Sequence, residues 1–210
     1  MPYGFLDVAV TPSVRAAQAA MGSDRVWQDF KGHREFDKFT ANEIDFIARR
    51  DSFYMATVSE TGWPYVQHRG GPPGFLKVVD EKTLAFADYR GNLQYISVGN
   101  LAADDRAALI LMDYAGRTRL KIYAHVEAVP LDANEELAAL VTVPAYKAKP
   151  ERILLLHLVA FDWNCPQHIT PRFTEAEITE GLQPLRDRLA ALESENTELR
   201  ARLAAREEEK

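Results

Sequence analysis

Phe53-Tyr54-Met55-Ala56-Thr57-Val58, then Glu60-Thr61-Gly62, then Trp63-Pro64-Tyr65-Val66-Gln67-His68-Arg69 is the stretch that decides the fold. Both arms are rich in β-branched and aromatic residues, and the polar Glu-Thr-Gly between them turns the chain, so the segment predicts a hairpin. The signature recurs downstream. After Gly70-Gly71-Pro72-Pro73-Gly74, residues 75–79 and 83–87 flank the turn Asp80-Glu81-Lys82. Residues 107–113 and 119–129 flank a turn at Ala115-Gly116, and 152–163 form a further strand. Helices are predicted at 41–50, where Thr40 and Glu43 form a capping box, at 92–101, and at 132–143 with Asp132 as N-cap. About seven short strands, mostly joined by tight turns, imply a mainly β (α+β) chain: a closed or partly closed antiparallel barrel with packed helices. The regular βαβ alternation of a dinucleotide fold is not the pattern seen.

Three zones follow. Residues 1–39 are helical and extended, with a short Ala-rich helix at 14–21 after Thr11-Pro12-Ser13 and a stop at Gly22-Ser23. Residues 40–173 carry the barrel. Residues 174–210 are mostly Ala, Glu, Leu and Arg, and Pro184 either starts a helix there or kinks one begun at Glu175.

In that last zone Leu182, Leu189, Asn196 and Leu203 recur every seven residues, as do Ile178, Leu185, Leu192 and Leu199. The strict period implies a left-handed two-stranded coiled coil, and one Asn at an a position fixes register and favours a parallel homodimer. In a parallel pair Arg188 meets Glu193, Glu195 meets Arg200 and Arg202 meets Glu207, all of opposite sign; each is worth roughly 0.3 kcal/mol, enough to set orientation. A helix packed on its own domain usually has a wider apolar stripe. A DNA-binding zipper is disfavoured because residues 149–174 read as strand and loop, not as a basic helix.

The chain has 210 residues, 47% hydrophobic and 27% charged, with net charge -6 and a pI near 5.4. An acidic balance argues against nucleic acid and anionic membrane partners. No run of about 18 apolar residues and no secretory leader pattern is read, so cytoplasmic location is expected. Cys165 is the single cysteine, which precludes an internal disulfide. Cys165 and His168 lie three apart, but two ligands do not make a metal site, and no metal is expected. Signatures of a P-loop, GxGxxG, HExxH or a GxSxG elbow are missing, and no catalytic residue is assigned.

Two stretches point to a ligand. The first runs from Gln67-His68-Arg69 through the Gly/Pro loop to Phe75-Leu76-Lys77. Glycines let backbone N–H groups approach closely, and Arg69 and Lys77 suit a phosphate. In the second, Asp88-Tyr89-Arg90-Gly91-Asn92-Leu93-Gln94-Tyr95-Ile96, Arg90 stands near a helix N-terminus, which favours anions. Together they suggest a flat, phosphorylated ligand lined by Tyr89 or Trp63. A Gly-rich turn and a routine helix cap account for the same residues without a ligand.

Residues 53–58 with Gly62-Trp63-Pro64, the Arg69 to Lys77 stretch and Leu84-Ala85-Phe86-Ala87-Asp88-Tyr89 resemble the pyridoxamine 5'-phosphate oxidase-like flavin-binding proteins. Asp113 with Arg119-Leu120-Lys121-Ile122, and Asp162-Trp163-Asn164-Cys165-Pro166-Gln167-His168-Ile169, continue the likeness across residues 40–173. The nearest group is the predicted flavin-nucleotide-binding branch. The resemblance implies a split antiparallel β-barrel that dimerises and binds FMN in clefts built by both subunits. It implies that Arg69 and Lys77 form the basic pair, and that Asp88, Tyr89, Asn92 and Gln94 fall in the loop and helix start. Gln167 and His168 would reach the flavin from the other subunit.

Leu93 stands where related sequences tend to carry Arg, and Ala124 where they tend to carry Gly. A lost phosphate contact costs about 1.5–3 kcal/mol, roughly ten- to hundredfold in affinity, unless Arg90 substitutes. The Arg-x-x-Pro-like end of the true oxidases is replaced by the coil. The resemblance thus implies an FMN-dependent oxidoreductase acting on a small-molecule substrate or electron donor. A non-catalytic flavin or haem carrier or sensor, and a cofactor-free dimeric scaffold, stand beside it.

Overall fold

A computed structural model describes residues 4–25, 37–164 and 166–208. Seven strands form one antiparallel sheet: β1 (Ser52–Val58), β2 (Pro64–Gly70), β3 (Lys77–Asp80), β4 (Thr83–Tyr89), β5 (Arg106–Asp113), β6 (Thr118–Val129) and β7 (Pro150–Asn164). Their order is β2-β1-β5-β6-β7-β4-β3. The sheet curls on itself: Phe53 of β1 stacks at 5.6 Å on Phe75, which precedes β3, and meets Phe86 of β4 edge-on at 5.3 Å. This is the expected mainly β barrel, split between β2 and the β3–β4 hairpin.

Period-two alternation fills the interior. Phe53 and Met55, Leu84 and Phe86, and Leu120 and Ile122 all face one buried cluster. In β7 the parity reverses. Ala124 pairs with Leu158 and Tyr123 with Ala160, leaving Val159 as an extra residue. Leu154 and Leu156 therefore face inward before this bulge, and Phe161 after it. On the other face of β4, Ala85 and Ala87 pack with Ile153 and Val141, so this strand is buried on both sides.

Among the described residues the sheet is accompanied by the helices α1 (Phe5–Ala9), α2 (Pro12–Ala20), α3 (Ala41–Ala48), α4 (Ile96–Ala103), α5 (Glu135–Val141) and α6 (Glu175–Glu208). α3 joins the barrel core through Phe46 and Ile47. The buried Glu43 carboxylate accepts from the Thr40 amide at 2.9 Å, the Thr40 hydroxyl at 2.6 Å and Trp163 Nε1 of β7 at 2.7 Å. Burial alone would raise its pKa; the Thr40 and Trp163 hydrogen bonds outweigh it and hold the group below the usual 4.5.

Three expectations are corrected. α4 starts at Ile96, not at residue 92, because Asn92 Oδ1 accepts from the Gln94 amide at 3.1 Å and makes a local turn. α5 is capped by Asn134, whose Oδ1 accepts from the Leu137 amide at 2.9 Å, so it starts after Asp132. β3 begins at Lys77 because the Phe75 amide bonds back to the Pro72 carbonyl at 2.9 Å in a turn.

Residues 1–169 and 170–210 form two compact units. In the second, α6 runs unbroken through Pro184. It starts from a capping box: Thr174 donates to Glu177 Oε2 from its amide at 2.7 Å, and Thr174 Oγ1 accepts from the Glu177 amide at 3.2 Å. Among the described residues no helix is long and apolar enough to cross a membrane.

Candidate functional site

Alternation along β2 sorts the first candidates. Tyr65, Gln67 and Arg69 face a groove at the split of the barrel, opposite the ends of β4 and β7. Val66 and His68 face outward, and His68 packs edge-on against Tyr54 at 5.5 Å. Asp88 and Tyr89 enter the groove from β4, Glu151 from β7, and residues 91–95 close it as the loop leading into α4.

Gln67 organises one wall. Its Oε1 accepts from Tyr65 OH at 3.3 Å and from Ser97 Oγ of α4 at 3.2 Å. A buried bond from Asn100 Nδ2 to Thr57 Oγ1, 3.0 Å, fixes the same helix to β1. Tyr95 at the N-cap has φ 51 and supplies no side-chain bond to the first turn of α4. The first turn of α4 thus has no side-chain cap, and its residues Ile96, Ser97 and Val98 line the groove, the kind of helix end that favours an anion.

Arginines and carboxylates alternate along the opposite wall. Arg69 Nη1 contacts Asp88 Oδ1 at 2.5 Å, and Arg152 Nε lies 3.5 Å from Asp88 Oδ2. Arg152 Nη2 is 3.3 Å from Glu151 Oε2, and Arg90 Nε is 2.7 Å from Glu151 Oε1. Tyr95 OH also donates to Glu151 Oε1 at 3.3 Å, and the Arg152 guanidinium lies 5.1 Å over the Tyr95 ring. Asp88 is 6% exposed at its side chain, and Arg69 12%. Arg69 Nε is buried and has no partner. An arginine held by one edge with its Nε unused suits a bound phosphate oxygen.

Of the residues expected at the site, the groove thus gathers Gln67, Arg69, Asp88, Tyr89, Asn92 and Gln94. Arg90 stands at its rim, half exposed and tied to Glu151. His68 is turned away. Lys77 pairs with Ala85, which faces the outer cluster under α5, so it shares that face and not the groove. Trp63 sits at the β1–β2 turn, 76% exposed. Gln167 and His168 form an exposed turn beyond the far end of β7, whose near end, Pro150, pairs with Tyr89 beside the groove. Cys165 and residues 26–36 lie outside the described residues.

The glycine loop has a different role from the one expected. A Cβ on Gly71 would lie 2.6 Å from Phe75 Cγ, and Gly74, at φ 75, would meet the Ala48 carbonyl at 2.9 Å. Their amides are spent on Asp51 and Arg50 carbonyls, both at 2.9 Å. These glycines let the loop pack on the barrel end. Tyr65, Ser97, Glu151 and Arg152 were not anticipated. Tyr65 was signalled by the alternation that selects Gln67 and Arg69; Glu151 and Arg152 depend on the pairing of β4 with β7.

The family model for pyridoxamine 5'-phosphate oxidase matches residues 39–158. Among solved structures, a Lactobacillus delbrueckii protein provisionally described as a pyridoxamine 5'-phosphate oxidase is 19% identical, with 60% of this chain and 94% of that chain covered and a TM-score of 0.47. An FMN-binding protein of Syntrophomonas wolfei is 14% identical, covering 73% and 95%, with a TM-score of 0.43. An F420 reductase is 20% identical, covering 56% and 94%, with a TM-score of 0.41. No curated protein matches the chain. The family match spans more than half of the sequence and takes in β1 to β6, α4 and the groove, and on that ground the chain belongs to the pyridoxamine 5'-phosphate oxidase family.

Proposed function

We propose that this chain is an FMN-binding flavoprotein, an oxidoreductase of a small-molecule substrate that works as a homodimer in the cytoplasm. The observation that carries the reading is the buried, unpartnered Nε of Arg69, set in a groove beside the uncapped first turn of α4. A phosphate placed there would accept from Arg69 and from helix amides, while Asp88 keeps the guanidinium in place. Ser97 and Gln67 hold α4 against β2, so the phosphate seat is set before ligand arrives. Tyr65, Tyr89 and Tyr95 offer aromatic wall to a flat ring system. When bound, FMN would supply the electron transfer, and the protein its orientation and electrostatics. In the dimer, Gln167 and His168 of the second copy would face the flavin; this part rests on the family likeness.

The test is an absorption spectrum of the purified chain, followed by fluorescence titration with FMN and with riboflavin. The Arg69→Gln/Asp88→Asn double variant removes both charges of the buried pair and leaves neither partner alone. We expect FMN affinity to fall at least tenfold and riboflavin affinity to stay within twofold, because only FMN carries the phosphate. A native chain that neither carries a flavin nor retains added FMN refutes the reading.

A further inference from the structure

The sequence predicted a coiled-coil seam, and the structure adds three properties of the helix that carries it. First, α6 is one continuous helix from Glu175 to Glu208. Second, Ile178, Leu182, Leu185, Leu189, Leu192, Leu199 and Leu203 remain 41–66% exposed. The apolar stripe is therefore formed, and its side chains are exposed. Third, Pro184 falls at a c position, on the side opposite the stripe, so the carbonyl it leaves without a helical donor faces away from the seam. The stripe runs about 38 Å from residue 178 to 203 at 1.5 Å per residue. Arg206, the next d position, ends it.

We propose that the occupant of this stripe is α6 of a second copy, in parallel and in register. The proposal deepens the homodimer reading by naming the surface and its orientation, and it rests on that reading only for the stoichiometry. Two features select the arrangement. In a parallel pair the two Asn196 side chains meet and satisfy each other's amides; in an antiparallel pair each faces leucines and stays unpaired in the seam. The charges agree, since Arg188–Glu193 and Glu195–Arg200 become attractive contacts between the copies. The first heptad lacks such a pair because Gly181 holds the g position facing Arg186. Orientation is therefore set by the half of α6 beyond residue 188. A helical partner from another protein would need the same heptad with a matching polar a site, whereas a second copy carries it by construction.

The experiment uses the full chain in a Cys165→Ser background, with Leu185→Cys and Leu199→Cys made separately and mixed, and a short bifunctional thiol reagent added. A parallel, in-register coil brings identical d positions together. Each single variant should then crosslink to its own copy, in the same yield with or without flavin. An antiparallel coil instead crosslinks Leu185→Cys to the partner's Leu199→Cys only in the mixture, and that overturns the proposal. A chain that light scattering shows to be dimeric but that crosslinks in no combination also overturns it, because its dimer then lies in the barrel. Because the readout sits on α6, failure here leaves the FMN reading standing, and a colourless protein leaves this result intact.

Discussion

Leu93 is the residue whose replacement says most about the groove. It lines the groove, is 58% exposed and has φ 64. Leu and Arg are both unbranched at Cβ and meet a similar cost in that left-handed backbone, so Leu93→Arg changes the side chain with little change in the strain of the turn. The new guanidinium would enter beside the first turn of α4 and across from Arg69. A charge-assisted hydrogen bond to phosphate contributes about 1.5–3 kcal/mol when well shielded. A position more than half exposed is screened by solvent, and halving that range gives about 0.8–1.5 kcal/mol. FMN should therefore bind roughly four- to twelvefold tighter. The assay is fluorescence titration of native and variant chains with FMN and riboflavin, at low and at high salt. The gain should be confined to FMN and should shrink with salt as the exposed charge is screened. An equal gain for riboflavin, or none for FMN, would mean that the phosphate does not lie between α4 and Arg69.

Two further outcomes are expected. Glu43→Gln exchanges a carboxylate that accepts three hydrogen bonds for an amide whose NH₂ opposes the Thr40 donors. It should cost about 2 kcal/mol and lower the melting temperature by roughly 4–8 °C. The pH dependence follows from the lowered pKa: the contribution is complete above the unfolded value of 4.5 and is lost as pH falls through the lower folded value, so native and variant melting curves converge in acid. Asn196→Leu should raise the melting temperature of α6 and loosen its preference for two strands. If scattering still shows only dimer and melting does not rise, Asn196 does not sit in the seam.

Much of the barrel was legible because its strands are local objects. Alternation in residues 53–69 and the turn residues around 61, 81 and 116 locate the hairpins without reference to anything distant. The misplaced boundaries have local causes too, but weaker ones. At α4 an Asn side chain competes with the helix for the Gln94 amide, and at α5 Asn134 wins the cap over Asp132. Neither competition shows in a hydrophobic pattern. The parity reversal at Val159 was hidden for the same reason, since apolar residues fill residues 153–156 and 158–161 on both faces.

The site divides along the same line. Gln67 and Arg69 could be selected, and His68 set aside, from the period of β2 alone. Lys77 could not be placed, because its face depends on where β3 starts after the loop and on its pairing with Ala85. Glu151 reaches the groove, and Arg152 reaches Asp88, only through the register of β7 against β4, some sixty residues away in sequence.

That long-range register also explains how a chain of net charge -6 builds a groove wall suited to an anion. It brings three arginines, 69, 152 and 90, to two carboxylates, Asp88 and Glu151. Three guanidiniums carry roughly fifteen N–H donors, against about eight lone-pair sites on the carboxylates. Ion pairing therefore cannot use every donor, and the wall keeps a surplus of both N–H groups and positive charge. That surplus includes Arg69 Nε, buried and without a partner. Water can satisfy the donors left at the exposed rim around Arg90, but an enclosed donor without a partner raises the free energy of the empty groove. A phosphate bound there would remove that penalty, so its affinity would reflect relief of an unsatisfied donor as well as attraction between charges. Asp88 is then the group that sets the balance. It is the one carboxylate shared by Arg69 and Arg152, and it prevents the two guanidiniums from repelling each other when no anion lies between them.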